Sequence, residues 1–305
     1  MLRATLIRAG ASPWLRGQVA TNPLAARVAR RFIAGDTLDE AEAVVTTLAG
    51  QGATGALDFL GENTTSPAEA ATATAAYVAA LDRIAERKLD ANVSVKLTAM
   101  GLDLDPELAL AEAATVCARG KEVGAMVGID MESHPYVDPT LRAVDALRGL
   151  VEPGGIGVCL QSYLYRTPDD LARLNGWGVP VRLVKGAYDE PAEVAHQAKR
   201  DVDLAYARQL ETLMAANAYP MVATHDPELI DLTRRLAARG RRDRASFEFQ
   251  MLYGVRRDLQ RQLADEGWRV RVYVPYGTQW YSYFMRRLAE RPANLAFFLG
   301  SLVRR

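Results

Sequence analysis

From residue 54 to residue 274 the chain alternates, eight times over, between a short apolar run and a longer amphipathic stretch. The runs are Thr54–Leu60, Val93–Thr98, Met126–Met131, Ile156–Gln161, Val181–Lys185, Met221–Thr224, Ser246–Gln250 and Val270–Val274. They have the length and the apolar character of strands buried on both faces of a parallel sheet. Helical patterns follow them at 66–89, 105–121, 138–149, 168–175, 190–217, 226–239, 253–266 and 278–290. The strand starts fall about 24 to 40 residues apart, and eight such strand–helix units predict a (β/α)8 barrel. A doubly wound sheet alternates in the same way. However, no first strand–helix turn carries GxGxxG, no GxxxxGK occurs, and GGIG at 154–157 precedes a strand where a phosphate cradle would follow one.

Two helices are expected ahead of the barrel. One spans 23–34, opened by Asn22-Pro23 and stopped by Gly35, and the second covers about 38–49 after Asp36. Residues 1–50 are therefore read as helices packed on a barrel at 51–305, one domain overall, since a chain of 305 residues that is 49% hydrophobic can bury one large core. Thirty-seven basic residues balance thirty-seven acidic ones, which leaves no electrostatic footprint for nucleic acid. Cys117 and Cys159 lie in apolar contexts and are too few for a disulfide framework. With no apolar run near the ~20 residues of a membrane span and no signal-peptide core beside Arg3, Arg8 and Arg16, the expected location is the cytoplasm.

In a barrel, chemistry sits where strands meet the following loops. Read in order, those positions hold Glu62, then Lys96, then Asp130 and Glu132, then Gln161, then Arg182, Lys185 and Tyr188. Thr224, His225 and Asp226 come next, followed by Glu248 and Gln250, and by Tyr273. A ring of charges from nearly every strand is hard to explain by packing, because an unpaired buried charge costs several kcal/mol. Single members keep plainer readings: Lys96 can simply pair with Asp130, and His225 can be a helix-start residue. Arg182 is different, because a charge between Val181 and Leu183 must point into the barrel or at a bound group, which Gly186-Ala187 would let the backbone approach closely.

The last strand and helix, WRVRVYVPYGTQWYSYFMRRLAERP, add an anion-binding candidate. Pro275 and Gly277 turn the chain, Thr278 is the expected N-cap, and Tyr283 stands three and four residues before Arg286 and Arg287. Glu290, four after Arg286 and three after Arg287, can hold the guanidinium pair in place. A solvated helix face is the alternative for the arginines. Metal chemistry fits poorly, since His134, His196 and His225 show neither HxH nor HExxH spacing, and no GxSxG elbow follows a strand. His196 is read as mid-helix.

The segments SVKLTAMG, GIDME, CLQSYLYR, VRLVKGAY, VATHD, FEFQMLYG and RVYVPYGTQWYSYFMRRLAE resemble the successive strand motifs of the proline dehydrogenase family over about residues 55–300. VRLVKGAY and the YxxRRxxE helix are the specific pieces. The resemblance implies a barrel that holds FAD, oxidises L-proline to Δ1-pyrroline-5-carboxylate and returns the electrons to a membrane-resident quinone. It further implies that Arg286 and Arg287 bind the proline carboxylate, Lys96 assists, and Tyr273 and Tyr283 pack against the ring. On the cofactor side it implies Gln161, Arg182, the backbone of Lys185, Gly186 and Ala187, Thr224 and His225, with Asp130 orienting Arg182 and Met131 contacting the isoalloxazine. The chain resembles the short, stand-alone form. The product would then pass to a separate pyrroline-5-carboxylate dehydrogenase, and the quinone implies peripheral contact with the inner face of a membrane.

Glu62, in LGENTTSP with Gly61 as hinge, is expected to swing onto an arginine of the pair when substrate enters, with Glu290 balancing the other. Capping of the helix near Ser66 is the alternative role for Glu62. Two other function classes stay open: a Schiff-base aldolase or lyase using Lys96 or Lys185, and a non-catalytic amino-acid binder that keeps the arginine pair.

Overall fold

The computed structural model describes residues 28–290, without the side chain of Glu290. Eight parallel strands close into a barrel in sequence order, each hydrogen-bonded to the next and the eighth to the first. Ahead of the barrel lies α1 (Leu38–Ala49). The units are then β1 (Thr54–Phe59) and α2 (Pro67–Arg87), β2 (Ala91–Val95) and α3 (Pro106–Val123), β3 (Val127–Ile129) and α4 (Val137–Leu147), β4 (Ile156–Gln161) and α5 (Thr167–Trp177). The second half comprises β5 (Val181–Val184) and α6 (Lys199–Ala215), β6 (Pro220–Ala223) and α7 (Pro227–Arg239), β7 (Glu248–Leu252) and α8 (Arg257–Asp265), β8 (Val270–Tyr276) and α9 (Tyr281–Glu290). Among the described residues no helix is long and apolar enough to cross a membrane.

The period-two pattern of β8 sorts its side chains. Val270, Val272 and Val274 are fully buried in the core that joins strands to helices, whereas Arg271 and Tyr273 reach partners across the barrel interior. The strand continues through Pro275 and Tyr276, beyond the expected stop at Val274, with Pro275 opposite Asp58 of β1. Helix α9 opens at Tyr281, so Thr278 is not its cap. The intervening chain is led outward at Gly277, whose φ of 118° favours glycine and whose N–H donates to the Gly35 carbonyl.

The helix after the last strand of a regular barrel fills the layer between that strand and the first. Here α1 takes this place, packing on both β1 and β8 with Val45 against Gly55. Thr37 caps it in a reciprocal capping box with Glu40, one residue later than Asp36. Displaced from that layer, α9 packs with Val28, Phe32, Ile33 and Leu60 in a second apolar cluster. Its arginines consequently stand at the barrel mouth. Asn22-Pro23 and most of the helix expected at 23–34 lie outside the described residues; helical turns end at Ala29.

Two further helices start later than their periodicity predicts. Residues 190–198 do not join α6, because Val194 and Ala195 pair with the β4–α5 loop: Tyr165 N donates to Val194 O, His196 N donates to Tyr163 O, and Leu164 bridges Ala195. His196 is therefore a loop residue stacked edge-on against Tyr165. Helix α8 starts at Arg257 rather than 253, since Tyr253 N still pairs with Tyr273 O and Arg256 adopts a left-handed conformation.

Candidate active site

Inside the barrel, beneath its C-terminal mouth, seven polar side chains from six strands or strand ends form one network. Lys96 Nζ lies 2.7 Å from Asp58 Oδ1, 3.3 Å from Asp130 Oδ2 and 3.2 Å from the Tyr273 hydroxyl, which itself donates to Asp130 Oδ2 at 2.6 Å. Arg182 grips the other oxygen of Asp130, donates to Ser94 Oγ at 2.9 Å, and through Nε donates to Gln250 Oε1 at 2.6 Å. The space for so long a side chain comes from small neighbours, with Arg182 Nη2 lying 3.3 Å from where a Cβ on Gly128 would stand. Nη2 is itself buried without a hydrogen-bond partner.

The charges in this network are fixed by one another. Burial alone would depress the Lys96 ammonium, but the Asp58 and Asp130 carboxylates outweigh it and hold the group above its ordinary value. Burial likewise opposes the Arg182 charge and is outweighed, chiefly by Asp130. Asp130, despite burial, is pulled below the usual carboxylate range by Lys96 and Arg182, whereas burial wins at Asp58 and raises it. Lys96 is thus a permanent cation, unsuited to act as a base or an amine nucleophile.

Above the network stands α9. Arg286 meets the Glu62 carboxylate through two bonds and lies 5.6 Å over the Tyr188 ring, while Arg287 lies 5.1 Å over the ring of Tyr283. Arg286, with Ser282 assisting, holds Glu62 below its ordinary range against the effect of burial. The capping role falls instead to Ser66, with Glu69 returning to Thr65 N, so Glu62 does not start α2. The structure thus brings Glu62 onto Arg286, the arginine of the pair that it meets. Arg286 is not on a solvated face, and the side chain of Glu290 lies outside the described residues.

The remaining candidates surround the other side of the mouth. Gln161 donates through Nε2 to the Glu132 carbonyl at 2.9 Å and accepts from Tyr163 OH at 3.2 Å and from Ala187 N at 3.4 Å. Gly186 also has a packing requirement of its own: at φ 124°, a Cβ there would stand 2.5 Å from the Tyr163 ring. Lys185 is held between Asp203 and Asp226, at 2.9 Å from the latter. Thr224 Oγ1 accepts from Asp226 N, which places Asp226 as the cap of α7. His225 Nε2 accepts from Leu252 N at 2.9 Å, tying β6 to β7; a neutral ring in this arrangement carries its proton on Nδ1. Met131 is buried just after β3. Glu132, also after β3, is pushed by burial up to about 7 even though Thr98 donates to it twice.

Sequence reasoning missed Asp58, the nearest partner of Lys96, although a lone carboxylate between Leu57 and Phe59 is the same signal that singled out Arg182. It also misplaced Glu248, which opens β7 at the opposite end of the barrel and pairs with Arg271 Nε at 2.9 Å.

Comparison with known proteins fits this constellation. The family model described as proline dehydrogenase matches residues 41–299. Proline dehydrogenase 1 of Bacillus subtilis (strain 168) is 42% identical over 277 residues, 91% of each chain, and the proline dehydrogenase of Deinococcus radiodurans is 42% identical over 280 residues, 91% of this chain and 90% of that one. A solved proline utilization A from Bdellovibrio bacteriovorus, inactivated by N-propargylglycine, superposes with a TM-score of 0.83 at 24% identity. It covers 99% of this chain but 38% of its own, and a likeness at that identity speaks for the fold. The match along the chain and the two close relatives establish that it belongs to the proline dehydrogenase family.

Proposed function

We propose that the barrel mouth oxidises L-proline to Δ1-pyrroline-5-carboxylate. In that reaction the two electrons and the hydrogen of the ring carbon leave together, a chemistry that FAD would supply when bound before the electrons go on to a quinone, while the proton of the ring nitrogen leaves to solvent. The observation that carries this reading is the set of cations above and beneath the barrel mouth: Arg286 and Arg287 on α9, and Arg182 locked by Asp130, Ser94 and Gln250 beneath.

The donor set fits a flavin. Arg182 Nη2 is a buried N–H group without a partner, and a polar cofactor atom is the kind of group that would satisfy it. Gln161, the Lys185–Ala187 backbone, Thr224, His225 and Met131 are the other residues that would hold the cofactor. On the substrate side, Arg286 and Arg287 match a carboxylate, with Lys96 adding positive charge behind them. Tyr273, Tyr283 and Tyr188 enclose an apolar ring. Lys96 and Arg182 keep their charge throughout, so they orient and stabilise rather than move protons. The pairing of Glu62 with Arg286 supports a gate role for this loop carboxylate over the mouth.

A Schiff-base lyase would need a lysine with a lowered pKa, and Lys96 is shifted the other way. An amino-acid binder would have no use for the Arg182 network. The reading also implies a cytoplasmic protein that meets its quinone at the inner face of a membrane and hands its product to a separate dehydrogenase. An absorbance spectrum tests the proposal: the protein should purify yellow, bleach on anaerobic addition of L-proline, and release its flavin on heating. A colourless protein that gains no flavin absorbance from added FAD would refute it.

A further inference from the structure

We propose that Thr98, held by Glu132, is the anchor that positions the Glu62 gate. The inference rests on the gate reading above and extends it to two residues outside the substrate and cofactor contacts. Glu62 sits between two unlike neighbours. On one side, Gly61 faces open space, where a Cβ would meet nothing within 4 Å, and a glycine restricts the backbone least. On the other side, three hydrogen bonds fasten the loop to a single residue: Asn63 N donates to Thr98 Oγ1 at 3.2 Å, and Thr64 donates to the Thr98 carbonyl through N at 3.1 Å and through Oγ1 at 3.0 Å. Asn63 adopts a left-handed conformation, φ 54°, which asparagine tolerates better than most residues.

Thr98 is fixed in turn. It is fully buried just after β2, and both its N–H and its hydroxyl donate to the Glu132 carboxylate, at 3.1 and 2.6 Å. The hydroxyl therefore relays one chain, from the Asn63 N–H to Thr98 Oγ1 and on to Glu132 Oε2, in which each bond polarises the next. The Glu132 carbonyl accepts from Gln161 Nε2, so the relay ends on β4 rather than on another loop. A glycine facing open space on one side of Glu62 and a pinned pair on the other hold the loop where its carboxylate meets Arg286. Thr98 acts through Glu62 and is a positioning residue.

The test is a double-mutant cycle on the flavin-loaded enzyme, read as kcat/KM for L-proline. Thr98→Val keeps the shape and the carbonyl but removes the hydroxyl relay. It should lower kcat/KM about 3- to 10-fold, mainly through KM, and Thr98→Ser should restore it. Combined with Glu62→Ala, Thr98→Val should cost nothing further, because the anchored group is gone. Unchanged kinetics in Thr98→Val, or a loss that multiplies with that of Glu62→Ala, overturns the anchor while leaving the gate intact. Wild-type kinetics in Glu62→Ala alone removes the gate itself, and the anchor with it. Melting temperatures of all five proteins show whether a loss reflects general unfolding, which would appear equally in both backgrounds and would count against the proposal.

Discussion

Arg286 and Glu62, 224 residues apart in sequence, meet through two bonds, Nη1 to Oε1 at 2.8 Å and Nη2 to Oε2 at 3.1 Å. This two-pronged geometry is the one by which a guanidinium binds any carboxylate, and the substrate's own carboxylate makes the same demand on the α9 arginines. Glu62 thus makes with Arg286 the contact that a substrate carboxylate would make.

Glu62→Ala should lower kcat/KM for proline by about 10-fold or more, since a closed mouth orders substrate and excludes water. Helix α2 keeps its Ser66 cap in this variant. Steady-state kinetics and a melting curve together decide the matter: wild-type kinetics with a lowered melting temperature would assign Glu62 a purely structural role.

Asp58 is the strongest structural partner of Lys96, fully buried and 2.7 Å away. Its removal in Asp58→Ala leaves a buried ammonium to share Asp130 with Arg182. Breaking a buried pair costs about 3–5 kcal/mol. Thermal unfolding of this variant should show a loss of that order, and an unchanged melting temperature would mean that Asp130 alone suffices for Lys96.

The barrel was legible because its strands are apolar on both faces, a pattern that local sequence carries in full. Lys96, Asp130, Arg182 and Tyr273 were legible for the complementary reason, as polar residues interrupting such strands. Asp58 carried the same mark. Glu248 misled because a polar residue in a strand does not announce which end of the barrel it occupies; the register with Met221 settles that. The missing turns before α6 arise from pairing of 194–196 with the β4–α5 loop, a tertiary competition to which helical periodicity is blind. The position of α9 over the mouth has a similar origin, since it depends on α1 taking the slot between β8 and β1.

Arg286→Met and Arg287→Met should each raise KM for proline about 30-fold or more, equivalent to losing ~2 kcal/mol or more of a buried charge contact. Flavin content should stay near that of the unaltered protein, because both arginines stand on α9 and the cofactor candidates lie on β3 to β6 and their loops. A near-normal KM in both variants would return the pair to the status of a helix surface feature.

Glu132 makes the last prediction one about pH. Burial raises its pKa from the ordinary 4.5 to about 7, with nearby Glu62 adding to the rise and the Thr98 bonds and Lys96 opposing it. Between those two values the folded chain holds a proton that the unfolded chain has released, so this group's contribution to stability falls as pH rises through the window. It is absent as a penalty below about pH 4.5 and fully developed above about 7, where it amounts to about 3 kcal/mol. Glu132→Gln removes the ionisation while its amide can still donate to Thr98 Oγ1 and its carbonyl can still accept from Thr98 N. Relative to the unaltered protein, the variant should melt at the same temperature at pH 5 and at a higher one at pH 8. A difference that is equal at both pH values would show that Glu132 does not ionise in this window, whatever its burial.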